Sequence, residues 1–208
     1  MTAQDRRERK KEELQREIVE TAFECFAETG YHQTGIADIA SRLGIGHGTF
    51  YRYFENKRDI LDHVISDLVS RVVSALADEN RPDAARTLED YRRQVARIGD
   101  SLIDVLGADA RMTRVLLFEA TTVDERLRQR MFDLLDLARE MTASYLLHGV
   151  DEGYLRSDLD VQNTAIAING AVLAMLLQDL RNPDNESRRR FSEALQRLMY
   201  IGIAGQQP

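Results

Sequence analysis

The chain has 208 residues, 43% of them hydrophobic and 30% charged, with a net charge of −7, three prolines and one cysteine. A chain of this length holds one ordinary domain, or a small domain fused to a larger one. A single cysteine excludes an intramolecular disulfide and a cysteine-based zinc cluster, and the few prolines in an Ala-, Leu-, Glu- and Arg-rich composition point to an all-α fold.

The acidity argues against a nonspecific nucleic-acid binder, but it is unevenly spread. Residues 1–60 carry ten Lys/Arg against eleven Asp/Glu, so most of the negative charge lies further on. Within the first stretch, 1–14, the first eleven residues hold Arg6, Arg7, Arg9, Lys10 and Lys11 against Asp5 and Glu8. It reads either as a solvated tail or as a basic arm along phosphates, continuing into the first helix. The N-terminus has no apolar signal core, and the longest nearly apolar run, Ala165 to Leu177, is too short to span a bilayer; a cytoplasmic location is expected.

From Gln15 to Thr29, the positions Ile18, Val19, Ala22, Phe23, Cys25 and Phe26 follow helical spacing, and Gly30 ends the helix. Cys25 falls on the apolar face, where a core thiol is a better reading than a redox sensor. Ile36, Ile39, Ala40 and Leu43 mark a second helix closed by Gly44; Gly46 opens a third, whose Phe50 and Phe54 point back to a small core. Asn56 caps a fourth helix starting at Lys57 and running through Ile60, Leu61, Val64, Ile65, Leu68, Val72, Val73 and Leu76. Residues 78–83 read as a loop. A helix then spans Leu88 to Leu106, ended by Gly107, and the apolar stretch Met112 to Phe118 follows. Asp124 starts a long helix ending near Gly149 or Gly153, Asp158 opens another to about Leu180, Asn182 to Asn185 form a loop, and a last helix runs through Ile201.

Three short helices with a glycine turn between the second and third make a helix-turn-helix over about 35–55. No carboxylate occurs from Ile39 to Phe54, while Arg42 and Arg52 do. Gly46, Gly48 and Thr49 are small enough to bring backbone close to phosphate; His47, Tyr51, Arg52 and Tyr53 are candidates for base edges or phosphates. Lys57, at the start of the fourth helix, is a phosphate candidate. Gly44, Gly46 and Gly48 are poor choices for helix stability alone, each costing up to about 1 kcal/mol against Ala in a helix interior.

The run I-V-E-T-A-F-E-C-F-A-E-T-G-Y (18–31), Thr34, Ile39-Ala40 and G-I-G-H-G-T-F-Y-R-Y-F-E-N-K (44–57) resemble the DNA-binding domain of TetR-family transcriptional regulators. The resemblance covers about Ile18 to Val64; Gly30, Thr34, Gly44, Gly48, Thr49, Tyr51, Tyr53, Phe54 and Lys57 carry it. It implies a two-domain protein with a DNA-binding domain at 15–64 and an effector-binding and dimerisation domain at 65–208. It further implies a homodimer on a palindromic double-stranded DNA operator, usually a repressor, released by a small molecule. By position, Gly48, Thr49 and Tyr51 are expected at the DNA backbone, His47 and Tyr53 at groove or phosphate, and Lys57 at phosphate. Gly46 replaces a frequent serine, His47 a frequent lysine, and Gly35 a frequent Ser/Thr helix cap, for which Thr34 is the expected substitute.

In the second domain, Ala167, Gly170, Ala171 and Ala174, with Phe191, Leu195 and Leu198, are expected to form a four-helix interface between two copies. Tyr91, Leu102, Met112, Phe118, Met131, Met141 and Tyr145 are the candidate effector pocket, suited to a hydrophobic or amphipathic molecule. No His/carboxylate cluster suggests a metal, and no cofactor is expected. The absence of G-x-S-x-G, P-loop, G-x-G-x-x-G and H-E-x-x-H motifs disfavours an enzyme. A TetR-like activator and a helical protein-binding scaffold are the alternatives. The scaffold has no need for the glycine-punctuated, carboxylate-free stretch.

Overall fold

The computed structural model describes residues 3–75, 80–107, 111, 114, 115, 118, 121–181 and 184–204. Leu76, residues 78–79, Met112, Leu116, Leu117 and residues 182–183, all used above, lie outside the described residues. The fold is all-α: α1 (Ala3–Thr29), α2 (Ile36–Leu43), α3 (His47–Phe50), α4 (Lys57–Ala75), a 3-10 turn (Pro82–Ala84), α5 (Leu88–Gly107), α6 (Thr121–Val123), α7 (Glu125–Asp151), α8 (Val161–Asp179) and α9 (Asn185–Ile203). Among the described residues the β-type pairing is one isolated antiparallel bridge, Leu155 with Ala204.

The chain divides into two units, the first Met1–Val69 with Arg114–Arg128, the second Ser70–Thr113 with Gln129–Pro208. The 114–128 segment therefore groups with the N-terminal helices, a placement outside the expected 15–64 boundary. Residues 3–14 are not a separate arm: α1 starts at Ala3, because the alternation of Glu, Lys and Arg there favours helix even without a core to pack on.

The first unit is built on aromatic and branched residues at helical spacing. Ile18, Ala22 and Phe26 of α1, Ile39 of α2, Phe50 of α3, and Ile60 and Leu61 of α4 are fully buried, and Phe54 nearly so. Phe50 and Phe54 meet at 6.0 Å between ring centroids. Gly30 and Gly44 adopt φ of 89° and 67°, left-handed values that favour glycine and close α1 and α2. Asn56 caps α4 by accepting from Asp59 N–H (2.9 Å), and Asp124 caps α7 by accepting from Leu127 N–H (2.8 Å). Arg58 Nε donates to the other Asp124 oxygen at 2.5 Å, and its Nη1 donates to Asp62 at 2.7 Å.

In the second unit α9 packs on α5 and α8, around Ala85, Tyr91, Ala143, Tyr145, Leu146, Leu155, Ala165 and Ile203. The segment entering α5 is held by side chains: Tyr145 Oη donates to Asn80 O (2.5 Å), Gln94 Nε2 to Arg81 O (2.6 Å), and His148 Nε2 lies 2.8 Å from Ala85 O. The helix expected to start at Asp158 starts at Val161, with Asp160 as its cap. Asp158 instead forms a bidentate pair with Arg156. A buried ion pair joins Asp179, the last residue of α8, to Arg188 in the first turn of α9; the side chains are 6% and 5% exposed. Asn185 Oδ1 accepts a further bond from Arg188 (2.7 Å), so the guanidinium is not left with one partner.

α8 is 19 residues long, with mean hydropathy 1.3 in its apolar window, of which 6% is buried. By length and composition it could cross a membrane, contrary to the expectation from the shorter Ala165–Leu177 run; the helix recruits Val161 to Thr164, which that run omitted.

Candidate nucleic-acid interface

The turn from Gly44 to Gly46 sets α3 against α2. Gly44 N–H bonds back to Ser41 O (3.1 Å) and Ile45 N–H to Ala40 O (3.0 Å), a Gly-closed helix end that reverses the chain within three residues. Only one turn of α-helix follows, shorter than the expected recognition helix; the chain continues as turns through Tyr53, pinned by Phe50 and Phe54. The first bond inside this turn is Thr49 N–H to Gly46 O (2.9 Å), so the N–H groups of His47 and Gly48 lie ahead of it.

Gly46, His47, Gly48, Tyr51 and Arg52 are exposed, Tyr51 at 55%, while Thr49 and Tyr53 are half-buried. A Cβ added at Gly46 or Gly48 would meet nothing within 4 Å. Neither glycine is therefore demanded by packing inside the protein. The Arg52 guanidinium lies 5.8 Å from the Tyr53 ring centroid. Arg42, the other cation of the carboxylate-free stretch, binds Glu28 of α1 through both nitrogens (2.6 and 2.9 Å); that carboxylate raises the arginine's pKa further, and the side chain ties α2 to α1.

Two expected contact residues face inward. Thr34 is 3% exposed, and its hydroxyl bonds to Gly30 O (2.8 Å), Cys25 O (3.2 Å) and the Thr29 hydroxyl (2.8 Å). It does not cap α2; Asp38 does this by accepting from Gly35 N–H at 2.7 Å. A threonine before a helix start is chemically able to cap, but its hydroxyl here meets nearer carbonyls behind it. Lys57 Nζ lies 2.5 Å from Tyr31 O and 2.9 Å from Thr34 O, on the protein's own backbone. Cys25 is buried, and burial pushes its thiol pKa up, as a core residue's would be.

The dimer and pocket candidates separate by exposure. On α8, Ala167, Gly170 and Ala174 are exposed and Ala171 half-buried; on α9, Leu198 is exposed and Phe191 and Leu195 half-buried. Sequence spacing missed Ile166 (54% exposed), Leu177 (40%) and Ile201 (87%), which widen the same stripes. Of the pocket candidates, Tyr91 and Tyr145 are core residues, with Tyr145 held by Asn80. Leu102, Met131 and Met141 are half-buried, Met112 is outside the described residues, and Phe118 belongs to the first unit. A half-open cavity of about 250 Å³ lies elsewhere in the second unit, lined by Ala84, Ala85, Asp90, Arg93, Gln94 and Arg97. Its polar wall differs from the apolar lining expected. Among the described residues no three His, Cys, Asp or Glu side chains cluster as a metal would need.

Residues 18–64 match the bacterial regulatory proteins of the tetR family. Across nearly the whole chain the protein is similar to the fatty acid metabolism regulator protein of Bacillus subtilis (strain 168), 24% identical over 187 residues, covering 90% of this chain and 94% of the relative. It is also similar to the transcriptional repressor DhaR of Mycobacterium sp. (strain GP1), 23% identical over 190 residues, covering 88% and 92%. Its fold is that of the regulator FadR from Bacillus subtilis, solved with stearoyl-CoA: TM-score 0.74 at 24% identity, covering 89% of this chain and 97% of that one. The helix-turn-helix at Ile36–Phe54 lies inside the segment that matches the tetR family of bacterial regulatory proteins, and the all-α fold around it is shared with FadR over most of the chain.

Proposed function

We propose that the protein is a ligand-responsive repressor and not an enzyme. It acts in the cytoplasm as a homodimer on a palindromic double-stranded DNA operator, and a small hydrophobic or amphipathic effector releases it. The observation that carries the DNA reading is the pair Gly46 and Gly48, exposed and unused by internal packing, within a stretch of chain, 39–54, that has no carboxylate. Backbone at Gly46 to Thr49 approaches phosphate; His47, Tyr51, Arg52 and Tyr53 supply the side chains. Tyr51 and Arg52 are adjacent and exposed, which suits one to the sugar-phosphate backbone and the other to a charge or base edge.

The dimer reading rests on α8 and α9. Ile166, Ala167, Gly170, Ala174 and Leu177 recur on one side of α8, and Leu198 and Ile201 are among the most exposed large apolar residues. Each Leu or Ile fully covered by a partner contributes about 1.5–3 kcal/mol, enough for a few such contacts to hold two copies together. A second copy also explains why α8 is apolar while carrying Asn163 and Asn169, which a lipid-facing helix would have to shield.

The effector class follows the relative solved with stearoyl-CoA, and the half-buried Leu102, Met131 and Met141 are the proposed lining. Both α4 and α7 have residues in each unit, so ligand-driven repacking has two continuous helices through which to reach the first unit and change the spacing of the two reading heads. Selection of binding sites from randomised duplex DNA, followed by titration of the selected site with stearoyl-CoA, tests the proposal. An enriched inverted repeat whose binding falls on titration supports it. No inverted repeat overturns the operator reading, and undiminished binding at saturation overturns this effector class.

A further inference from the structure

Lys57 stands first in α4, where a lysine reaching DNA phosphate was expected. Its surroundings describe another role. The ammonium lies 2.5 Å from Tyr31 O, 2.9 Å from Thr34 O and 3.5 Å from His32 O. It also lies 4.2 Å from the centroid of the Tyr31 ring, on whose electron-rich face a cation is attracted. An ammonium has three donors and no acceptor. Here three carbonyls and one ring face, all from the single turn 31–34, converge on it.

That turn is itself tied to α1 by several bonds. Thr34 N–H bonds to Gly30 O (3.2 Å), the buried Thr34 hydroxyl reaches Gly30 O and Cys25 O, and the Tyr31 ring packs on Phe26 at 5.2 Å. The turn sets where α2 begins, and α2 sets α3. The next residue, Arg58, holds α4 from another side, through Asp124. Reaching a phosphate would withdraw the Lys57 ammonium from carbonyls that follow α1 and precede α2, where helix bonds do not replace it.

We propose that Lys57 is a positioning residue: an internal cation that locks the α1–α2 turn to the start of α4 and so fixes the attitude of the helix-turn-helix, without itself neutralising a DNA phosphate. The inference rests on the DNA-reading assignment made above. Lys57→Met removes the ammonium and keeps the stem. Lys57→Arg keeps a charge that binds phosphate at least as well, but its planar fork does not fit three carbonyls converging on a point.

The test measures the affinity of the full-length protein for its selected operator and for single-mismatch operators between low and physiological salt, together with calorimetric melting. The lock predicts that both variants bind every operator about tenfold more weakly, with the slope of log affinity against log salt unchanged, and melt on the order of 5 °C lower. A Lys57→Arg protein with parental affinity and melting overturns the proposal. So does a Lys57→Met protein whose melting is parental and whose salt slope is shallower by about one. Should Lys57→Met fail to fold, Lys57→Arg decides by the same criteria. If the parent selects no operator, the DNA reading is the one that fails, and the melting shifts still judge the lock.

Discussion

In the first unit the large apolar side chains are inside: Phe26, Ile39 and Phe50 are fully buried, and Phe54 is 2% exposed. In the second, Ile166 is 54% exposed, Leu198 70% and Ile201 87%. Both units are helical and both have a closed core, so the difference is not one of folding quality. The small head completes its core from its own residues and turns polar and aromatic groups such as Tyr51 and Arg52 outward, the groups proposed to meet DNA. The larger unit keeps exposed apolar side chains on α8 and α9, the stripes proposed to meet a second copy. A residue's exposure thus carries opposite meanings in the proposed function: on the head an exposed Tyr51 is offered to DNA, and on α9 an exposed Leu198 is offered to a second copy.

The largest effect is expected where the second unit depends on itself alone. Arg188→Met strands the buried Asp179 carboxylate and should cost about 3–5 kcal/mol in urea unfolding. Adding Asp179→Leu should recover much of that loss, since a well-packed apolar pair can replace a buried ion pair. A double variant as unstable as the single one would show that the pair has a role beyond charge balance.

Next comes the dimer stripe. Leu198→Glu with Ile201→Glu should raise the dimer dissociation constant by about two orders of magnitude in analytical ultracentrifugation, with helical content retained. A protein still fully dimeric at micromolar concentration would place the interface elsewhere and erase the contrast between the units.

A smaller effect is expected on the head's surface. Arg52→Ala should make the salt dependence of operator binding shallower by about one and weaken all sequences alike, if the guanidinium meets phosphate. Tyr51→Ala should weaken binding by about 1–2 kcal/mol with the salt slope kept, because no charge is removed. Neither should change melting, as both side chains are exposed.

The smallest is a cap. Leu127 N–H and then Arg58 hold the Asp124 carboxyl below its ordinary pKa. A lowered folded-state pKa means stability present above the unfolded value and lost as pH falls through the folded one. Asp124→Ala should therefore cost about 1 kcal/mol at neutral pH, and the gap to the parent should close as pH drops below about 4. A gap independent of pH would show that Asp124 acts by packing.

Much of the head was legible because its signals are local. Gly30 and Gly44 mark left-handed helix ends, Asn56 and Asp124 mark caps, and Phe50 and Phe54 four apart mark the inward face of one short segment. Thr34 and Lys57 were less legible for the same reason: chain position shows that a hydroxyl or an ammonium is near a helix start, not which carbonyls it meets. Asp158 and Asp160 pose the same ambiguity, and Arg156 decides it by engaging the first and leaving the second to cap α8.

By itself the sequence determined the all-α class, the helix-turn-helix and its place in the chain, because these depend on periodicity, glycine conformations and caps within a few residues. Tertiary structure decided which polar groups belong to the interior. Thr34, Lys57, Gln94 and the Asp179–Arg188 pair are inside or against backbone because the turns between helices fold carbonyls and charges onto them. Residues 114–128 likewise join the first unit through contacts such as Arg58 with Asp124, sixty-six positions apart, and such distances leave no local trace in composition or periodicity.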